Sequence, residues 1–217
     1  MSTREKNRKD APAGKRASRR EEKVEERRRS LIRAAIKVIA KKCLTGVTMN
    51  SIATEAKCSF GVAAFHFQSK EGIIFAALDH AAEEYEAYLA ELRETSSGPA
   101  DRVRSMIQAD FSKRASGRAS VAMWVAFWAE SVRVGSYRER CGEMRAHFNS
   151  MVADDLKELA RMRGVEIDAE QVAVSLNAMI SGLWIESIVS GGPVSEGQSR
   201  AREACLAFLR LHFPKDF

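Results

Sequence analysis

The sequence has few cysteines and no close pair of them. None belongs to a Cys-x-x-Cys motif or has a histidine at metal-ligand spacing beside it: Cys43, Cys58, Cys141 and Cys205. This pattern provides neither a disulfide framework nor a zinc site, and it favours a reducing, cytoplasmic compartment. We predict no metal and no other cofactor.

Long apolar runs are also missing. The longest stretch without a charged residue, 171–185, has 15 residues, whereas about 20 are needed to span a bilayer. The first 20 residues carry charges throughout and contain no apolar run, which argues against a secretory signal. We therefore expect no membrane segment.

Motifs of common enzyme classes are absent as well. The sequence contains no Gly-x-Ser-x-Gly, no phosphate-binding glycine loop, no His-Glu-x-x-His and no dinucleotide fingerprint. The four histidines lie far apart in the sequence: His66, His80, His147 and His212. These absences argue against an enzyme.

Charge is distributed very unevenly. Residues 1–70 contain 18 Lys or Arg against 7 Asp or Glu, whereas residues 71–217 contain 17 against 22. Clustered cations displace counterions from phosphates, and an acidic surface is repelled by them. A nucleic-acid partner is therefore expected at the N-terminal third.

The apolar pattern predicts an all-α fold with three parts. Residues 1–24 are polar and basic, and we expect a disordered arm that either follows DNA phosphates or only aids solubility. Residues 25–70 form a head in which Thr48 and Ser59 start two short helices separated by a brief turn, a helix-turn-helix. Residues 71–217 form a helical body. Its predicted helices are 70–94, which links it to the head, then 100–114, 119–134, 136–163, 168–190 and 195–212.

Two segments resemble a known family. Residues 47–73, with a Thr-capped helix, Ile52-Ala53, a Ser-x-Gly start and Phe67-x-Ser-Lys-Glu, are similar to the DNA-binding signature of TetR-family repressors. Residues 124–129 and 178–185 resemble the BetI-like branch, which governs choline-to-betaine genes. The resemblance implies a three-helix head, a dimeric four-helix bundle from the last two long helices, and an inducer site in each body.

This resemblance assigns DNA contacts within the head. We expect phosphate contacts from residues at or near helix starts and from matched positions: Arg28, Thr48, Ser59, His66 and Lys70. For Thr48 and Ser59, capping alone is the alternative. Base edges would be read by Phe60, Val62 and Ala63, whose apolar side chains favour thymine methyl groups. Because this helix has few bidentate hydrogen-bonding side chains, we expect specificity to depend also on DNA shape. Lys57 stands where the family's turn usually has glycine.

The body carries candidate ligand and dimer residues. Aromatic faces attract quaternary ammonium groups, so an aromatic wall with a nearby carboxylate would suit choline; an ordinary aromatic core is the alternative. The candidates are Asp110, Trp124, Phe127, Trp128 and Trp184. Apolar positions at helical spacing predict a homodimer interface: Phe148, Met151, Val152, Leu156, Leu176, Met179, Ile180 and Leu183.

The function predicted from the sequence is a ligand-responsive repressor that binds a palindromic DNA operator as a homodimer and responds to choline or another small organic cation. Two alternatives stay open. The inducer could be a fatty-acyl or aromatic compound, or the protein could organise DNA without any inducer.

Overall fold

The computed structural model describes residues 13–190 and 193–217, and every regular element in that part of the chain is an α-helix. The predicted all-α fold is confirmed. The helices are α1 (Ala13–Lys42), α2 (Met49–Glu55), α3 (Phe60–His66), α4 (Lys70–Glu94), α5 (Pro99–Asp110), α6 (Arg118–Ser131), α7 (Gly135–Arg163), α8 (Ala169–Val189) and α9 (Val194–Arg210).

The first helix begins earlier than predicted. The prediction of a disordered arm is wrong for residues 13–24, which form the first turns of α1. This segment consists mainly of Ala, Arg, Lys and Glu, which have high helix propensity and therefore support a helix even where the side chains stay in solvent. One turn further on, the Arg29 guanidinium pairs with the Glu25 carboxylate at 3.2 Å, the i,i+4 spacing that supports an exposed helix. Residues 1–12 of the predicted arm lie outside the described residues.

One compact unit comprises residues up to 38 together with 47–77. Leu31, Ala35 and Val38 recur at helical spacing on α1 and are buried, as is Ile52 of α2. The first two turns of α4 add the fully buried Ile73, Ile74 and Ala77. For this reason the division between the units falls after Ala77, seven residues beyond the predicted boundary at Lys70.

The second unit comprises residues 39–46 and 78–217. Its helix α8 packs against α7 and α9, and α7 also packs against α5 and α6. Large side chains from several helices and the C-terminal segment fill the core: Phe111, Phe127, Leu156, Leu159, Leu176, Leu209 and Phe213. We call this unit the body and the first unit the head.

Helix α8 has two different apolar faces. One is buried in the body: Val172, Ala173, Leu176, Ile180 and Trp184. The other is exposed and consists of Val174, Ala178, Gly182, Ile185 and Val189, which we call the outer stripe of α8. Because both faces are apolar, α8 is the one helix among the described residues long and apolar enough to cross a membrane. A helix shared between a soluble core and a partner has the same composition, so this feature alone is weak evidence for a membrane.

Candidate nucleic-acid interface and ligand site

The start of α2 is fixed by a reciprocal capping box. Thr48 has extended backbone angles, and its hydroxyl accepts a hydrogen bond from the Ser51 backbone N–H at 3.0 Å. The Ser51 hydroxyl oxygen accepts one from the Thr48 N–H, also at 3.0 Å. Thr48 is exposed, so the predicted cap lies at the surface, where a phosphate would meet it.

The turn between α2 and α3 uses a left-handed residue. Lys57 has φ 53°, a conformation that costs a non-glycine residue about 1 kcal/mol. The Lys57 and Cys58 N–H groups donate to the carbonyls of Thr54 and Ala53 at 3.1 and 2.9 Å. These bonds close the end of α2 and hold the left-handed turn that the family resemblance implied at this position.

Helix α3 presents only part of its predicted reading surface. Ser59 caps it by accepting from the Val62 N–H at 3.4 Å, and Phe60 is 54% exposed. Val62 is half-buried. Ala63 is 0% exposed, and its assignment as a base contact is wrong, since its methyl group faces the core of the head.

One exposed aromatic residue was not predicted as a contact. Phe65 is 76% exposed, more than Phe60 on the same helix. Helical spacing could have identified it, because it lies one turn after Gly61 on the exposed side of α3.

The remaining predicted DNA contacts lie at or near the C-terminal end of α3. Lys70 is half-buried at the start of α4, where the Ser69 hydroxyl accepts from the Gly72 N–H at 3.0 Å. The exposed Arg28 lies with its guanidinium carbon 5.2 Å from the centre of the Phe67 ring. His66 is half-buried and contacts the Phe65 ring edge-on, with 5.3 Å between ring centres.

The body brings together three of the five predicted ligand residues. The Trp128 and Trp184 rings stack with centres 6.3 Å apart. The Trp184 indole N–H donates to the Asp110 carbonyl oxygen at 2.9 Å. The Tyr85 hydroxyl, which was not predicted as a site group, donates to the Asp110 carboxylate at 2.6 Å. We call Tyr85, Asp110, Trp128 and Trp184 the aromatic–carboxylate cluster.

The other two predicted ligand residues contribute to the packing of the core. Phe127 is fully buried and packs beside Tyr137, with ring centres 6.2 Å apart. Consecutive residues of α6 point about 100° apart. Phe127 therefore faces the core, whereas the next residue, Trp128, faces the cluster. Trp124 is half-buried and packs against the core of the body.

Burial controls the ionisation of the cluster. It raises the pKa of Asp110 to about 7, although the hydrogen bond from Tyr85 acts in the opposite direction. Burial, followed by the nearby Asp110 charge, raises the pKa of Tyr85 well above its usual value. Asp110 is thus a buried carboxyl group that a neighbouring cation would help to ionise.

A cavity of about 30 Å³ lies next to the cluster, enough for about one water molecule. Its walls are largely apolar, and they are supplied by α4, α5, α7 and α8: Tyr85, Leu89, Leu92, Arg93, Arg102, Met106, Phe148, Met151, Val152, Asp155 and Asn177. Asp155 is 4% exposed. It accepts from both guanidinium groups, at 2.5 Å from Arg93 and 2.6 Å from Arg102.

Helices α4 and α7 are connected by three polar contacts about two turns apart. In order along both helices they are Asp79 with Arg140 at 2.7 Å, Glu86 with His147 at 3.2 Å, and Arg93 with Asp155 at 2.5 Å. Residue numbers increase together on both sides, so the two helices run in the same direction here. We call these contacts the α4–α7 ladder.

The predicted dimer residues do not form one exposed face. Four are buried within the single chain, because the apolar periodicity of α7 and α8 mainly marks the core: Val152, Leu156, Leu176 and Ile180. Their assignment to a dimer interface is wrong. Phe148 and Met151 line the cavity, while Met179 and Leu183 are half-buried.

Comparison with protein families agrees with this architecture. The family model described as bacterial regulatory proteins, tetR family, matches residues 31–77. The model described as BetI-type transcriptional repressor, C-terminal, matches residues 99–214. The first match covers the head from residue 31 onward, and the second covers most of the body.

Individual proteins give the same result. The chain is 31% identical over 171 residues to the HTH-type transcriptional regulator BetI of Burkholderia mallei, covering 77% of this chain and 85% of that protein. A transcriptional regulator from Pseudomonas aeruginosa has a similar fold, with TM-score 0.75, 23% identity and coverage of 85% and 89%. So does a transcriptional regulator from Saccharomonospora viridis in complex with choline, with TM-score 0.76, 22% identity and coverage of 86% and 96%. The chain belongs to the TetR family of transcriptional regulators, whose members bind DNA and are not enzymes, and its C-terminal domain is of the BetI repressor type.

Proposed function

We propose that this protein is a ligand-responsive repressor that binds a palindromic operator as a homodimer, with α3 of each head in a major groove. The observation that carries the proposal is the exposed α3 between the capped starts of α2 and α4. The excess of Lys and Arg over Asp and Glu in residues 1–70 supplies phosphate attraction. Two identical heads would require two half-sites related by inverted symmetry.

The outer stripe of α8 is the surface that supports dimerisation. Val174, Ile185 and Val189 are 45%, 42% and 74% exposed, an unusual concentration of apolar side chains on one helix of a soluble protein. Ala178 and Gly182 lie between them, and a Cβ added at Gly182 would have no neighbour within 4 Å. Small residues there would let two α8 helices approach closely.

Charge substitution tests the dimer. Val174→Glu combined with Ile185→Glu should convert the dimer to a monomer in sedimentation velocity, because two copies of each carboxylate would be buried at the symmetric contact. Val132→Glu is the matched control, since Val132 is 77% exposed directly after α6. A double variant that still sediments as a dimer would contradict this interface.

We propose a small organic cation, choline or a similar quaternary ammonium compound, as the inducer. The aromatic–carboxylate cluster supports this choice, because aromatic faces and a nearby carboxylate are the groups that stabilise such cations. The Arg145 guanidinium lies 5.6 Å from the Trp128 ring centre, so this ring already interacts with a cation. The choline complex of the S. viridis regulator provides separate support.

Ligand binding would act on DNA binding through α4. Tyr85 belongs both to the cluster and to the cavity wall, and it lies on the helix that continues into the head. A ligand that separates Trp128 from Trp184 would displace Tyr85 and loosen the α4–α7 ladder. A hundredfold loss of operator affinity requires about 2.7 kcal/mol of coupling between the two sites.

The cavity supports a second inducer class. Its apolar walls suit an acyl chain or an aromatic ring, and Arg93 and Arg102 could pair with the carboxylate of such a ligand if Asp155 released them. The cavity would have to expand, because its present volume of about 30 Å³ is far below the several hundred that drug-sized ligands occupy.

One titration separates the two inducer classes. Choline and laurate are added separately to a complex of the full-length protein with its operator, and release is followed by fluorescence anisotropy. We expect choline to release the DNA, and Asp110→Asn to weaken choline at least tenfold, since a neutral amide no longer stabilises the cation. Asp154→Asn, on the exposed side of α7, is the control. Release by laurate alone would favour the cavity, and release by neither would support an inducer-independent DNA organiser.

A further inference from the structure

The outer face of α3 is apolar and lacks hydrogen-bonding side chains. At about 100° per residue, Phe60, Ala64, Gly61 and Phe65 follow one another within about 140° of the helix circumference, and the buried Ala63 lies outside this arc. Phe60 and Phe65 are 54% and 76% exposed. The two phenylalanines therefore lie at the two ends of this arc, with the small residues Gly61 and Ala64 between them.

The exposed Phe65 ring has one aromatic neighbour that favours a particular orientation. Its contact with His66 is edge-to-face, with the two ring planes at 87°. Exposing a phenyl ring to water is unfavourable, and the rest of the head does not cover it. An orientation fixed before binding reduces the entropy lost when a partner covers the ring.

No contact within the chain requires a glycine at position 61. A Cβ added there would meet only the Ser59 hydroxyl oxygen, at 3.9 Å. Glycine in a helix costs about 1 kcal/mol relative to alanine. Close approach of an external partner to the α3 backbone explains why this position lacks a side chain.

We propose that Phe60 and Phe65 contact the C5-methyl groups of thymines in the major groove, so that each half-site is specified at these positions by methyl groups. Each thymine presents one methyl group there, and phenyl rings contact it favourably. This inference rests on the proposed function, because it assumes that α3 enters the major groove.

Replacing thymine by deoxyuridine tests the inference, since it removes the methyl group and keeps every hydrogen-bonding group of the base. A preferred duplex is first selected by the full-length protein from a random-sequence library. It is then synthesised with deoxyuridine at every thymine, and again with 5-bromodeoxyuridine, whose bromine is similar in size to the methyl group. We expect the dissociation constant to rise about fourfold for each thymine methyl group that a ring covers and to recover with bromine.

A double-mutant cycle assigns the contacts to the two rings. Phe65→Ala and Phe60→Ala should each weaken binding of the thymine duplex about tenfold, and each should reduce the additional loss caused by deoxyuridine. Val132→Ala, which shortens an equally exposed apolar side chain of the body, should leave all three affinities unchanged. Because all three side chains are exposed, the variants should fold, and thermal unfolding will check this.

The outcomes separate this inference from the proposed function. If no duplex is enriched in the selection, the DNA-binding function itself fails. If a duplex is enriched but binds equally well with thymine and deoxyuridine, only the methyl contact is overturned. The same holds if Phe65→Ala weakens the thymine and deoxyuridine duplexes by equal factors, which would indicate insertion of the ring between base steps.

Gly61→Ala gives an independent measurement. The variant should raise the melting temperature of the protein, because alanine favours the helix, and it should weaken binding of the selected duplex at least tenfold. Gly142→Ala is the control, since Gly142 lies on α7 and a Cβ added there would meet no neighbour within 4 Å. Unchanged DNA affinity of Gly61→Ala would contradict a close approach of α3 to the bases.

Discussion

The head and the body place their aromatic and polar groups in opposite ways. In the head, Phe60 and Phe65 face solvent, and hydroxyl groups such as those of Thr48 and Ser59 serve the surface ends of short helices. In the body, Trp184 is buried along with two carboxylates, Asp110 and Asp155. The head thus has preformed, exposed groups on its surface, whereas the body holds buried groups whose ionisation and contacts can change.

The largest expected effect comes from breaking the buried ion pairs of the body. Asp155→Asn should lower the free energy of unfolding by about 3 kcal/mol, because it leaves the Arg93 guanidinium without its carboxylate partner and leaves Arg102 paired only with Glu158. Urea denaturation at neutral pH measures this change. Asp154→Asn is the matched control, since the adjacent side chain is 68% exposed. Equal stabilities of the two variants would show that burial makes no energetic difference here.

The next largest effect concerns pH. Because burial raises the pKa of Asp110 to about 7, the folded chain retains a proton that the unfolded chain loses near pH 4. The free energy of unfolding should therefore fall as pH rises, by roughly 2 kcal/mol between pH 5.5 and 8. Asp110→Asn should abolish this part of the slope, as measured by denaturation at several pH values. A variant with the slope of the unmodified protein would disprove the shift.

A smaller effect is expected at the capped helices of the head. Thr48→Ala removes one side of the capping box and should destabilise the head by about 1 kcal/mol. Hydrogen exchange of the α2 amides, from Met49 to Glu55, would detect it. The control is Thr54→Ala, because the Thr54 hydroxyl only donates to the Asn50 carbonyl at 2.9 Å. Equal protection in both variants would argue against the cap.

The smallest stability effect should be seen at Lys70. Lys70→Gln should change the free energy of unfolding by less than about 0.5 kcal/mol. It should nevertheless reduce the slope of log binding constant against log salt by about 0.9 for each head. Titrations of the selected duplex at several salt concentrations measure that slope, with Lys113→Gln in the body as the control. An unaltered slope would remove Lys70 from the phosphate contacts.

Local sequence signals predicted the head well. The caps at Thr48 and Ser59 and the start of α4 after Ser69 depend on residues within one or two turns, so composition and spacing are sufficient. The left-handed turn at Lys57 was implied only by the family resemblance. Ala63 was misassigned because a seven-residue helix offers little periodicity, and Phe65 was overlooked although its spacing from Gly61 would have indicated an exposed position. The arm was misjudged because its charged residues suit an exposed helix as well as a disordered chain.

The body was predicted less completely because its sites combine distant segments. The sequence suggested Asp110, Trp128 and Trp184, but nothing in it indicated that Tyr85 would join them across 25 residues. Nor could spacing show that Asp155 binds two arginines more than 50 residues away. Apolar periodicity on α7 and α8 selected core positions such as Leu176 and Ile180, and the exposed outer stripe of α8 was recognised only from the fold.

The location of the indoles has a practical consequence. All three tryptophans, at positions 124, 128 and 184, lie in the body, and two of them stack. Light at about 295 nm, which excites tryptophan, will therefore excite only the body. Tryptophan emission will not report unfolding of the head. A ligand that separates Trp128 from Trp184 should change this emission without any attached dye. In one sample, tryptophan emission can then measure ligand binding while a labelled duplex measures DNA release.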